Sequence, residues 1–236
     1  KNINFTSESI VRSDTLGNRN GQQISIIGDA IVVDRSNISA YSVGSGNGGQ
    51  IKLEANNITL NNNGGGGTQA TASGNAGDVT VIATNSFVAS NYGGLGSKTS
   101  STATGNGGAI NIKANSFSAN NNSGLGSDNY GAGNGGVINV EANSFVVSNK
   151  SGLGSSTFGV GNSGVINVKA NSFVVSNQSG LTNNTSGAGN GGVINVEANS
   201  VRLEEGSGFV ATSFSNGGLG EIKIKVGDLV IRNAAI

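Results

Sequence analysis

The chain has 236 residues, with 13 Lys and Arg against 13 Asp and Glu for a formal net charge of zero, and it carries 41 glycines but no Pro, Cys, Met, Trp or His. Without imidazole or thiol there is no Ser-His-Asp triad, no Cys-His pair and no His or Cys metal ligand, so most hydrolytic and redox chemistry is excluded. Scattered Lys and Arg at zero balance leave no basic stripe for nucleic acid, no apolar run is long enough to span a membrane, and no cofactor is expected.

In chain order, short apolar-polar alternations begin at Ile3-Asn4-Phe5 and recur at Ile24, Ile51 and Val79, with steps of 21, 27 and 28 residues. After a step of 31 to Ile110 the spacing becomes constant: Ile110, Ile138, Ile166, Ile194 and Ile222 are each 28 apart, and so are the Gly-Asn-Gly-Gly-like turns at Gly105, Gly133, Gly161 and Gly189. A fixed period of this length signals a solenoid. Nine units are expected, the last incomplete.

Within the unit 133–160 three short strands are predicted. Val137 to Glu141 alternates with period 2, Ala142-Asn143 turns the chain, Ser144 to Ser148 forms a second strand, and Gly152 to Ser156 forms a weaker third after the Asn149 turn. No segment has the 3.6-residue period of a helix.

Columns read across units separate buried from exposed faces. The column of Phe145 reads Ile10, Ile31, Ile58, Phe87, Phe117, Phe145, Phe173, Val201, Leu229, and two places on Val33, Leu60, Ala89, Ala119, Val147, Val175, Leu203 and Ile231 are also apolar. Between them, Val146 and Val174 share a column with Thr59, Ser118 and Arg202, which must face outward. Leu95, Leu125, Leu153, Leu181 and Phe209 form a third inward column. An Asn column, Asn115, Asn143, Asn171 and Asn199, marks the first turn, where left-handed dihedrals and side-chain ladders are expected. A charged column at the end of the first strand reads Lys113, Glu141, Lys169, Glu197, Lys225, alternating in sign so that stacked neighbours attract and the register is favoured over slippage. Glu204 and Arg232 are expected to make a similar pair.

These columns predict an all-β, right-handed parallel β-helix over residues 1–236, with about nine rungs of ~28 residues and three short strands per rung. A single solenoid segment of this kind is expected to be part of a longer shaft or filament. Four Gly-x-Gly-x-x-Gly matches, as at Gly131 to Gly136, lack a following helix and read as coil turns, not nucleotide loops. Calcium-binding β-rolls need Asp where these turns have Asn, and Asp78 and Asp128 stand alone. Ice binding would need a regular Thr array, which is absent. Glu141 and Glu197, separated by Lys169, suit a salt ladder better than the paired acids of a glycosidase.

The recurring Gly-Asn-Gly-Gly-x-Ile-Asn-Val-x-Ala-Asn-Ser-Phe, as at residues 133–145 and without its Phe at 189–200, resembles the repeats of very large cyanobacterial exoproteins of the filamentous-haemagglutinin, two-partner-secretion type. The likeness covers roughly residues 46–232. It implies an extracellular or cell-surface β-helix acting as adhesin shaft, matrix component or fibre, with no catalytic residues. The expected partners are further copies of itself and cell-surface glycans or matrix. The alternative from the residues is a carbohydrate-active β-helix enzyme or a polysaccharide-binding module. The tyrosines Tyr41, Tyr92 and Tyr130 show no clustering with carboxylates in the sequence.

Overall fold

A computed structural model describes residues 1–214 and 216–236. Among them there is no helix, and 18 strands form two parallel sheets, one of ten strands and one of eight. The chain is a β-solenoid. The short-strand sheet contributes one strand per coil, so eight strands mean eight turns, close to the nine units expected.

From Ile51 onward the first and second predicted strands of each unit run on without interruption, whereas in the coil before it Ile24–Ile27 and Ala30–Asp34 remain separate. Segments such as Ala109–Asn120, Val137–Ser148 and Val193–Glu204 are single strands of 12 residues. Each of these coils therefore has one long strand and one short one, such as Gly152–Gly154. The bend falls inside the long strand, where Ala142 pairs with Ala170 and Ser144 with Ser172 while Asn143 stands outside the Cα ladder. One peptide out of register suffices to turn the strand, as a β-bulge does. In the coil of Val79–Ser90 two residues, Thr84 and Asn85, occupy this position instead of one, which accounts for one of the three extra residues between Val79 and Ile110.

Register corrects the reading of the first coil. Ile3 pairs with Ile31, so it belongs to the column of Phe145, while Ile24, Ile51, Val79 and Ile110 form the other ladder. Ile10 is not in the Phe145 column: it lies in the short-strand sheet opposite Asn37 and is 65% exposed. The step of 21 residues between Ile3 and Ile24 thus runs from the column of Phe145 to the ladder of Ile110, the same distance as from Phe117 to Ile138.

The hydrocarbon core is a set of stacked columns. Phe87, Phe117, Phe145 and Phe173 are fully buried and stack with ring centroids 5.5, 4.8 and 4.6 Å apart, near the spacing of parallel strands. Where the column changes to Val201, Phe209 from the short-strand sheet meets Phe173 edge-on at 5.6 Å and fills the volume. Ile138, Val140, Val147 and Leu153 are buried as well, and Val146 is half-buried on the outer face.

The other half of the interior is polar, which the apolar columns did not anticipate. The Gly-rich loop returns each coil without a strand, and its inward carbonyls need donors. Buried Ser97, Ser127 and Ser155 donate to the carbonyls of Gly77, Gly108 and Gly136 at 2.7, 2.5 and 2.7 Å. Asn183 does the same for Gly164 at 2.8 Å. The period-2 alternation continues beyond Leu125 through Ser127 and Asn129, and that continuation is its signature in the sequence.

Candidate functional site

The long-strand sheet places Glu54, Ile82, Lys113, Glu141, Lys169, Glu197 and Lys225 in one outward column, one residue per coil. Lys113 Nζ lies 3.6 Å from Glu141 Oε1 and Lys225 Nζ 3.0 Å from Glu197 Oε1, while Lys169 forms no ion pair among the described residues. A hydrogen bond from Lys225 holds the Glu197 carboxyl below its usual range, reinforced by the charges of Lys225 and Lys169. Glu204 accepts a hydrogen bond from Arg202 at 3.4 Å and forms an ion pair with Arg232 at 3.8 Å.

Asparagine amides ladder on both sides of this charged ridge. Asn143 donates to Asn115, Asn171 to Asn143 and Asn199 to Asn171 at 2.6, 3.0 and 3.4 Å. On the other flank Asn139, Asn167 and Asn195 donate to Asn111, Asn139 and Asn167 at 2.7, 2.8 and 2.8 Å. Grooves of about 860 and 770 Å³ run between ridge and ladders. The first-turn asparagines do not have the left-handed backbone expected of them. Left-handed residues occur in pairs at the second turn, such as Asn121-Asn122 and Asn149-Lys150, where a reversal of two residues demands φ > 0 and Asn tolerates it best. A further amide ladder runs there, from Asn177 to Asn149 to Asn121 at 2.9 and 3.1 Å.

The Gly-x-Gly-x-x-Gly segments are the coil-closing loops, with no helix after them. A Cβ on Gly105, Gly133, Gly161 or Gly189 would run into a carbonyl oxygen of the preceding coil. Glycine is required here by close approach of two backbones. In the same loops the side-chain oxygens of Asn106, Asn134 and Asn162 accept the backbone N–H of the Asn one coil on at 2.8, 2.9 and 2.8 Å, and that of Asn190 accepts the N–H of Gly218 at 2.6 Å.

The outer face of the short-strand sheet is different in character. Gly94 and Gly96, Gly124 and Gly126, and Gly152 and Gly154 pave it. Tyr41, Gln69 and Lys98 follow one another along its edge, Asp128 comes next, and Tyr92 stands on the opposite rim. Tyr130 lies two residues beyond Asp128, its ring stacked on Phe158 at 4.7 Å and 8°, both rings about half exposed. Asp128 Oδ1 accepts the N–H of Ser156 at 2.9 Å. Burial pushes the Asp128 carboxyl above its ordinary range, against the pull of that bond and of Lys98. Burial and the neighbouring Asp128 together raise the Tyr130 hydroxyl.

Tyr41 and Tyr92, dispersed in sequence, therefore border one trough, with Tyr130 beyond it on Phe158. Their spacing is not the repeat, and so no column contains them; the only cue is that Tyr92 occupies a left-handed turn position held by Asn in neighbouring coils. Glu141 and Glu197 are on one face but two coils apart with Lys169 between them. Among the described residues no group of three or more acidic side chains could hold a metal, and no helix is long and apolar enough to cross a membrane. No family model, curated protein or solved structure matches the chain.

Proposed function

We propose that this chain is a non-enzymatic structural or adhesive β-solenoid of the cell exterior, a shaft whose regular faces make lateral or glycan contacts. The observation that carries the reading is the column order of the outer surface: like groups repeat at each coil along the rod, and carboxylates alternate with lysines instead of converging. Catalysis needs unlike groups brought together at one point. A repeating surface suits extended contact instead. The alternative, a glycan-cleaving β-helix, draws support from Glu141 and Glu197 sharing a face. Antibody labelling of intact source cells, with a reducing-end assay on soluble polysaccharides, tests both. Surface labelling without new reducing ends is expected; turnover lost in Glu141→Gln or Glu197→Gln would replace this reading with the enzyme.

A further inference from the structure

We propose that the glycine-paved face of the short-strand sheet binds a neutral, pyranose-based glycan chain laid along the solenoid axis. The proposal deepens the adhesive reading and rests on it for the setting in which such a polymer is met.

The floor is flat for a reason other than coil packing. At Gly94 and Gly124 a Cβ would run into the carbonyl of the next coil, so glycine there is obligatory. At Gly96 and Gly154 the nearest atom to a Cβ would be 3.8 Å away, and at Gly126 only the Asp128 carboxylate would be near, at 3.2 Å. Further along the same column stand Thr182 and Val210. The fold accepts side chains in this column, yet three successive coils leave it bare.

The rim is built at a conformational cost. Tyr92 has φ 64°, in the turn position where Asn63 and Asn122 have φ 61°. A bulky aromatic residue in the left-handed region is disfavoured, and nothing in the core uses this ring, which is 64% exposed. It borders a trough of about 770 Å³ whose other edge carries Tyr41 and Lys98. The trough crosses the coils of Asn37, Gly65, Gly94 and Gly124, three steps or roughly 14 Å at parallel-strand spacing, and it is open along its length.

Its chemistry selects the occupant. Aromatic faces offer stacking to a flat partner with an apolar side, and a few placed polar groups fix orientation. The C–H face of a pyranose ring fits the first requirement and its equatorial hydroxyls the second. Lys98 supplies donors, and the carboxylate next along its column accepts through Oδ2, since its hydrogen bond from Ser156 falls on Oδ1. Glu8 and Arg35 line the same trough with opposite charges. With charge balanced, the face holds neither a polyanion nor a polycation, and a neutral polyhydroxylated chain is the complement.

The test is native affinity electrophoresis of the whole chain in gels containing hydroxyethyl cellulose or galactomannan, with carboxymethyl cellulose as the anionic counterpart. Retardation by at least one neutral polymer is expected. Gly96→Val and Tyr92→Asn, which copy residues found in the same columns of other coils, should each weaken it at least tenfold with unchanged circular dichroism. Val146→Ser on the other sheet should leave it unaltered. Absence of retardation in both neutral polymers, retardation by the anionic polymer alone, or variants that bind like the parent would each overturn the assignment, while the shaft reading would stand. Release of reducing ends would overturn the non-enzymatic reading and leave the site in place.

Discussion

Two residues show how far a single side chain is governed by the coil above or below it. At Gly133 there is no Cβ because the carbonyl of Gly105 occupies its place. Gly133→Ala must push two coils apart, and overpacking of this kind costs about 1–3 kcal/mol; thermal denaturation should show a lowered Tm, whereas Gly96→Ala, with open space, should not. At Asp128 the carboxyl is raised above 3.8 by burial, so the folded state holds its proton more tightly than the unfolded chain does. Stability then falls as pH rises from the unfolded pKa through the folded one, and the deficit persists at neutral pH. Asp128→Asn keeps an oxygen for the Ser156 N–H, so it should be more stable than the parent at pH 7. The two melting curves should converge in acid, and equal Tm values at pH 7 would refute the burial penalty.

At the scale of the element, each long strand is held by an inner column and an outer one of unequal weight. Phe145→Ala takes one ring from the middle of a stack whose neighbours sit at 4.8 and 4.6 Å, and the coils on either side cannot close the gap. Such truncations cost about 3–5 kcal/mol. Val146→Ser on the half-buried outer face should cost less than about 1 kcal/mol, and chemical denaturation of the pair measures the difference. Glu141→Lys would exchange the contact with Lys113 for repulsion from Lys113 and Lys169, lowering stability by about 1 kcal/mol at low salt. The difference should shrink as salt is added.

The apolar and charged columns were legible in the sequence because identical residues at a constant spacing can have one explanation only, stacking in register. Legibility failed where the spacing changed. Ile3 and Ile10 were placed one column astray because Ile3 opens in the Phe145 column and not in that of Ile110, and the irregular early steps hid it. The merging of two strands into one was invisible because Asn143 turns the chain by leaving the ladder for a single peptide, not by a separate loop. The trough between Tyr41 and Tyr92 could not be read at all, since the two occupy different columns and face one another across it only when the sheet is wound.

For the molecule as a whole, contacts beyond a coil's own are made only with the coils on either side, and stability is a sum over coils and the interfaces between them. That order has a mechanical consequence. A chain pulled by its two ends cannot share the load among all interfaces at once; the outermost coil is peeled while the rest stay wound. Each coil so released frees 28 residues, roughly 95 Å of contour at full extension. Single-molecule stretching should give a staircase of nearly equal lengthening steps over the regular coils from Ile110 to Ile222. The coil containing Thr84 and Asn85 should give a longer step by about three residues, or roughly 10 Å, which would mark where along the rod the peeling front stands.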